Sequence, residues 1–125
     1  MKKYFALAIV ALISMSAVAQ QKIQLPAPQW DKKVNKFSLV DALMQRQSER
    51  EYADVDLTDQ ELSNVLWAAC GINRPASKKI TAPSAINAQD IMVFVCRADG
   101  AWLYNAVENS LTRVSALDLR KAVAS

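Results

Sequence analysis

The stretch that decides the fold is IMVFVCRADGAWLYN, residues 91–105. Its first six residues are an apolar run with β-branched side chains, which predicts a buried strand over 91–96. Asp99-Gly100 favours a tight hairpin turn, so AWLYN at 101–105 is predicted to return as a second strand. A polar turn at 108–110 then leads into LTRVS, residues 111–115, which predicts a third strand. Together these segments predict an antiparallel meander.

Two helices are predicted upstream of the meander. Thr58 and Glu61 have the spacing of a capping box, and apolar residues follow at helical spacing until Gly71, which is typical of a helix end. Ser38 and Asp41 have the same capping pattern, and the helix that follows them is expected to end near residue 46 or 47. The apolar stripe of this first helix consists of Leu39, Val40, Leu43 and Met44.

The remaining segments complete an α+β pattern. Residues 72–90 are expected to be a loop with a short turn at 84–88, and a last helix is expected to begin between Ser115 and Asp118. The sequence therefore predicts an antiparallel or mixed sheet flanked by helices. Two interpretations stay open here: a small α+β domain, or the front part of a larger domain that is truncated at its C-terminal end.

The first residues predict export. Lys2-Lys3, an apolar run at 4–13 and the small-residue pattern Ala17-Val18-Ala19 are typical of a secretory signal peptide over residues 1–19. The apolar run is shorter than the roughly 20 residues that a membrane anchor needs. We expect a periplasmic or secreted protein with an extended lead-in at 20–37 and the folded domain at 38–125.

Charge and composition exclude several classes of function. Without residues 1–19, 13 basic and 12 acidic residues remain, and no basic stripe with interleaved aromatics points to nucleic acid. The absence of histidine excludes histidine-based catalytic triads and the usual zinc sites. For Cys70 and Cys96, a disulfide and two buried free thiols both stay open.

One candidate binding motif is MQRQSEREY, residues 44–52. The candidate binding residues in it are Arg46, Gln47, Ser48 and Arg50. A guanidinium group offers a planar fork of donors that matches phosphate oxygens, so the motif fits a phosphorylated ligand. A solvated helix end is the alternative interpretation.

A second candidate motif is APSAINAQ, residues 82–89. Pro83 and Ser84 favour a turn, and the amides of Asn87 and Gln89 both donate and accept hydrogen bonds. Such amides suit the edge of a flavin or a base. The alternative is a capped turn whose amides hold the loop backbone.

The order of these motifs resembles one family. The segments LMQRQSEREYADVDLTDQELSNVLWAACGINR at 43–74 and TAPSAINAQDIMVFV at 81–95 are similar to the nitroreductase family of FMN-dependent oxidoreductases. The branch that the chain resembles most is the one related to thiazole- and oxazole-forming dehydrogenases. The resemblance extends from about residue 39 to 120, as in the N-terminal part of that domain.

The resemblance implies an α+β homodimer that holds FMN in a cleft at the subunit interface. Carried over by position, Arg46 and Arg50 would pair with the FMN phosphate, with Gln47 and Ser48 beside the phosphate, the ribityl chain or the pyrimidine edge. Pro83, Ser84 and Asn87 would lie next to the isoalloxazine ring, where Asn87 would bond it. Gln89 is expected to support that loop.

The function implied is hydride transfer to or from a small organic substrate. The flavin performs this step, so no catalytic acid or base and no metal is expected. NAD(P)H is the electron donor usual in the family, and the donor of an exported relative stays open. The alternatives are an incomplete domain that binds no flavin and acts as an interaction module, and a small binding domain with a Cys70–Cys96 disulfide. No nucleic acid is expected as a partner, and no membrane after signal cleavage.

Overall fold

The computed structural model describes residues 20–30 and 38–124. The strands are β1 (Lys22–Gln24), β2 (Ile72–Arg74), β3 (Lys79–Ile80), β4 (Phe94–Arg97), β5 (Gly100–Asn105) and β6 (Ser110–Ser115). The helices are α1 (Leu39–Gln45), α2 (Asp59–Cys70) and α3 (Arg120–Val123). The predicted signal peptide at 1–19 and part of the lead-in, 31–37, lie outside these residues.

The described strands confirm the predicted meander. They form a four-stranded antiparallel sheet in the order β1-β6-β5-β4, and β2 and β3 form a separate two-stranded sheet. In the β4–β5 hairpin, Arg97 faces Gly100 and Phe94 faces Leu103. The register places the two turn residues at 98 and 99, one position earlier than the predicted Asp99-Gly100 turn.

Gly100 is required at this turn. Its φ of +140° is one that side chains rarely adopt, and an added Cβ would lie 2.2 Å from the Ser115 carbonyl oxygen. Asp99 completes the turn, because its Oδ1 accepts a hydrogen bond of 3.1 Å from Trp102 Nε1. The two residues that predicted the hairpin therefore perform different tasks: Asp99 holds Trp102, and Gly100 lets β5 approach β6.

The predicted strand at 91–96 is corrected to Phe94–Arg97. Val93 and Val95 pack against the core, whereas Ile91, Met92 and Phe94 are exposed. Successive strand residues face opposite sides of a sheet, and β4 is an edge strand, so only alternate residues of the run reach the core. The prediction of a fully buried strand was wrong for this reason.

The core lies between α2 and the inner face of the four-stranded sheet. Its buried side chains are Leu25, Leu62, Leu66, Trp102, Tyr104 and Leu111. Leu62 and Leu66 are one helical turn apart, so α2 presents both to the sheet. The predicted stripe of α2 is confirmed for these two leucines, whereas Val65 is exposed.

The lead-in is part of the fold. It was predicted to be extended, and β1 within it pairs with β6 while Leu25 enters the core. The Asn64 side chain joins it to α2 by accepting from Gln29 N–H at 2.9 Å and donating to the Gln29 carbonyl at 2.7 Å. Ser63 Oγ donates to the Pro26 carbonyl at 2.6 Å. These bonds depend on side chains far apart in sequence, which local patterns do not reveal.

The first helix forms where predicted but packs differently. α1 ends at Gln45, and its four stripe residues are between 62% and 81% exposed. All of residues 38–57 are exposed. Of the two helices expected to cover the sheet, only α2 does so in the described part of the chain, and the apolar face of α1 stays open.

Two other predictions need correction. The segment at 72–90 contains the β2–β3 pair and two 3₁₀ turns, Pro75–Ser77 and Ala85–Asn87, of which only the second was expected. The last helix begins at Arg120, two residues after Asp118, whose Oδ1 accepts from Arg120 N–H at 3.1 Å. Hydrogen bonds from the Arg120 side chain and backbone lower the pKa of Asp118 to about 2.

The cysteines are free thiols, and both are half-buried. Cys70 packs against the core, as does Val95, the residue before Cys96. Strand alternation turns Cys96 away from that core. The structure therefore supports free thiols and contradicts the Cys70–Cys96 disulfide. No helix in the described ranges is long and apolar enough to cross a membrane.

We predict that Thr58→Ala lowers the free energy of unfolding by about 1 kcal/mol. Thr58 Oγ1 accepts from Glu61 N–H at 3.3 Å, and Glu61 Oε2 accepts from Thr58 N–H at 2.8 Å. The matched control is Ser38→Ala, which removes an equivalent capping box from the exposed α1 and should cost less than about 0.5 kcal/mol. Urea denaturation measures both changes, and equal losses would contradict the prediction.

The same capping box gives a pH dependence. Hydrogen bonds from the Thr58 backbone and side chain lower the pKa of Glu61 below its ordinary value of 4.5. The carboxylate therefore stabilises the fold above pH 4.5, and this contribution is lost as the pH falls through the lowered pKa. Thr58→Ala should weaken this acid dependence.

Candidate functional site

The arginine motif lies directly after α1. The Arg46 backbone N–H still donates to the Ala42 carbonyl at 2.9 Å, but its own backbone is extended, with φ −63° and ψ 122°. The chain therefore leaves the helix at Arg46 and runs on as an exposed segment. The predicted residues Arg46, Gln47, Ser48 and Arg50 are all on the surface.

The two guanidinium groups of this motif are available for an anion. Among the described residues, neither Arg46 nor Arg50 has an ion-pair partner, whereas Arg97 lies 3.7 Å from Asp59 and Arg120 lies 2.8 Å from Asp118. Within the motif, the Gln47 amide donates to the Glu49 carboxylate. Glu49 thus contacts Gln47, and neither arginine forms an ion pair within the described residues.

The second motif forms a tightly held loop. Pro83 is exposed, Ser84 is half-buried, and the 3₁₀ turn Ala85–Asn87 follows. The Ser84 carbonyl accepts from Asn87 N–H at 3.2 Å, and Ser84 Oγ accepts from Gln89 N–H at 3.1 Å. Ser84 therefore closes the turn twice, once with its backbone and once with its side chain.

The loop has unusual backbone angles. Ile86, Asn87 and Gln89 have φ values of 48°, 59° and 50°. Asparagine tolerates this region, but a β-branched residue rarely adopts it, at a cost on the order of 1–3 kcal/mol. Ile86 is also fully exposed, so no described contact offsets the strain. The backbone conformation of the loop is held instead by the hydrogen bonds of the neighbouring residues Ser84 and Gln89.

Gln89 supports the loop through its side chain. Gln89 Nε2 donates to Asn87 Oδ1 at 3.1 Å and to the Lys78 carbonyl at 3.0 Å. The second bond ties the loop to the residue that ends the Pro75–Ser77 turn. Asn87 is exposed, and its Nδ2 has no partner among the residues that the structure describes.

The structure does not join the two motifs within one chain. In the described ranges, no hydrogen bond or ion pair links residues 44–52 with residues 82–89. Each motif presents free donors to the surface separately. The assignment of these residues to one site therefore stays a prediction.

A cavity of about 400 Å³ adjoins the second motif, and the sequence did not predict it. It is lined by Gln89, Ile91, Met92, Cys70, Tyr104 and Asn105, among others. Ile91 and Met92 belong to the run that was expected to be a strand. The length of that run was their signal in the sequence, since only three of its six apolar residues lie in β4.

The titratable groups of this cavity are neutral at pH 7. Burial raises the pKa of the Cys70 thiol. Burial, and then the nearby Cys70, raises the pKa of Tyr104. No cluster of three or more metal-ligating side chains occurs among the described residues. The cavity therefore offers apolar contacts and amide groups.

Comparisons with known proteins agree on one family. The model of the nitroreductase family matches residues 43–123, which include both motifs. A protein of Methanocaldococcus jannaschii described as a nitroreductase is 32% identical over 99 residues. A crystal structure of a Ralstonia eutropha JMP134 protein, also described as a nitroreductase, superposes with a TM-score of 0.74 at 33% identity.

The matches cover most of this chain but about half of each relative. The alignment with the M. jannaschii protein covers 74% of this chain and 46% of that protein. The superposition on the R. eutropha structure covers 84% of this chain and 49% of the other. The α+β fold and the family are therefore shown.

Proposed function

Since this chain belongs to the nitroreductase family, we propose that it is an FMN-binding oxidoreductase that transfers a hydride to or from a small organic substrate. The observation that carries the proposal is the pair of unpaired guanidinium groups after α1. They lie within the part of the chain that matches the family.

The donors in the two motifs fit the chemistry of FMN. A phosphate monoester needs cationic donors, and Arg46 and Arg50 supply two guanidinium groups that form no ion pair within the described residues, although Glu49 and Glu51 flank Arg50 in the chain. An isoalloxazine edge needs hydrogen-bond donors and acceptors at fixed positions. The Asn87 amide is exposed, and its oxygen is already held by Gln89.

The proposed roles are those that the family resemblance implies for these positions, and the contacts above are compatible with them. Arg46 and Arg50 bind the phosphate, and Gln47 and Ser48 contact the phosphate, ribityl chain or pyrimidine edge. Pro83 and Ser84 shape the loop beside the ring, and Asn87 forms a hydrogen bond with the ring. FMN, when bound, supplies the hydride transfer itself. The protein binds and orients the cofactor and places donors where negative charge develops.

We propose that a second copy of the chain completes the site. The exposed stripe of α1 supports this, because an amphipathic helix normally buries its apolar face. The separation of the two motifs in one chain also fits a cleft built from two subunits. The family generally uses a nicotinamide donor with small-molecule substrates. The proposal carries over the small-molecule substrate and leaves the electron donor open, because free NAD(P)H is not expected outside the cytoplasm.

Export is part of the proposal, and the charged, apolar and small-residue pattern of residues 1–19 supports it. A periplasmic or secreted flavoprotein that crosses the membrane unfolded must bind FMN after transport. Periplasmic fractionation of a host that expresses the chain tests this, and a protein retained in the cytoplasm with residues 1–19 intact would contradict it.

The function is tested by incubating the purified protein with FMN, removing free flavin by desalting and recording the visible spectrum. We expect a retained flavin band at about one FMN per chain. A colourless, folded protein would contradict the proposal. That result would favour the alternative, a domain that binds no flavin and acts through its exposed α1 face.

A further inference from the structure

The Gln89 side chain determines which atoms of Asn87 face outward. Gln89 Nε2 carries two N–H donors, and the structure engages both, one with Asn87 Oδ1 and one with the Lys78 carbonyl. The Asn87 oxygen therefore points to Gln89. The two groups of a carboxamide lie on opposite sides, so Nδ2 points away from Gln89.

We propose that Gln89 is a positioning residue that fixes the Asn87 carboxamide with its nitrogen outward, so that Asn87 acts as a hydrogen-bond donor to the flavin ring. This inference rests on the proposed function. It goes further because it assigns a direction to the hydrogen bond and names the residue that sets it.

A reversed Asn87 amide is disfavoured by the local contacts. Rotation by half a turn would bring Asn87 Nδ2 against Gln89 Nε2, so two donors would face each other and the 3.1 Å bond would be lost. Gln89 does not turn its own oxygen toward Asn87, because its nitrogen is also bound to the Lys78 carbonyl. The Lys78 carbonyl can only accept, so it fixes the Gln89 amide with its nitrogen toward Lys78. Gln89 in turn fixes the orientation of the Asn87 amide.

The backbone of the loop supports the same arrangement. Ser84 Oγ accepts from Gln89 N–H, so the hydroxyl proton of Ser84 is free to donate elsewhere. Gln89 thus uses its backbone and its side chain to occupy acceptor sites on Ser84 and Asn87. Both residues are left with a donor for a ligand beside the loop.

The consequence for a bound flavin is electrostatic. Donors aimed at the ring stabilise the negative charge that develops on reduction, so they favour the reduced over the oxidised cofactor. Gln89 should therefore raise the two-electron midpoint potential of bound FMN, and it should do so only through Asn87. A residue that merely stabilises the loop would change FMN affinity in both redox states alike.

The test is a double-mutant cycle with uncharged replacements, Gln89→Met and Asn87→Ala, singly and together. The readouts are the midpoint potential and the dissociation constant of bound FMN. We expect each single variant to lower the affinity for reduced relative to oxidised FMN by about tenfold, which lowers the potential by about 30 mV. The double variant should match Asn87→Ala alone, because the effect of Gln89 needs the Asn87 amide.

Additive shifts in the double variant, or an unchanged potential in Gln89→Met, would overturn the inference. If Gln89→Met fails to retain FMN, the uncharged Gln89→Leu replaces it in the same cycle. A potential of Gln89→Leu equal to that of the wild type would overturn the role of Gln89. A wild-type protein that binds no FMN would overturn the proposed function instead, which separates the two failures.

Discussion

Replacing Leu111 with alanine is expected to lower the free energy of unfolding by about 4 kcal/mol. Leu111 is 0% exposed and lies in the middle of the sheet, where β6 pairs with β1 on one side and β5 on the other. Its neighbours in register are Ile23 and Tyr104, which are held by backbone bonds and cannot move into the space. The substitution therefore leaves a cavity in addition to the lost apolar burial.

The matched control is Val114→Ala on the same strand. Val114 is 47% exposed, so its replacement should cost less than about 1 kcal/mol. Urea or thermal denaturation compares the two variants with the wild type. Similar losses for both would show that the described core is not the main source of stability.

Removing both arginines of the first motif is expected to weaken FMN binding by at least about 100-fold. A hydrogen bond to a charged group contributes roughly 1.5–3 kcal/mol, and each 1.4 kcal/mol is a factor of ten in the dissociation constant. The double variant Arg46→Ala/Arg50→Ala loses two such contacts. Both residues are exposed and unpaired in the described structure, so the free energy of unfolding should stay within about 0.5 kcal/mol of the wild type.

Fluorescence titration of FMN into the protein measures this effect. Lys121→Ala is the control, because it removes one exposed cation from α3, outside both motifs. It should change the dissociation constant less than about twofold if the effect of the arginines is local. A double arginine variant that binds FMN like the wild type would show that the phosphate lies elsewhere.

Local sequence signals predicted the elements that depend on neighbouring residues. The capping box at Thr58, the stop at Gly71 and the turn signal at Asp99-Gly100 act over a few residues. α2 formed where expected, and the β4–β5 hairpin formed with its turn one position earlier than expected and a shifted first strand. Strand β1 depends instead on partners about 90 positions away, so its three residues carry no local signal. The β2–β3 pair was missed because its strands are very short and contain a bulge.

The sequence predicted which residues belong to the candidate site, but it did not predict their contacts or their arrangement in space. The motifs around Arg46 and Asn87 were identified by their order along the chain, and the family match covers both. Their free donors became visible only with the contacts of Glu49 and Gln89. The exposure of α1 could not be predicted. An apolar stripe indicates that a helix face will be covered, but it does not indicate which element or subunit covers it.

The pairing of β1 with β6 also affects how the chain folds. Lys22 lies beside Thr112 and Gln24 beside Ser110, so the first described strand pairs with the last. These contacts join residues that are far apart in sequence, and the entropic cost of closing such a long loop delays their formation. The meander must exist before β1 can dock. For a chain that is exported unfolded, as proposed above, the segment next to the leader then stays unpaired until the C-terminal strands have followed it across the membrane.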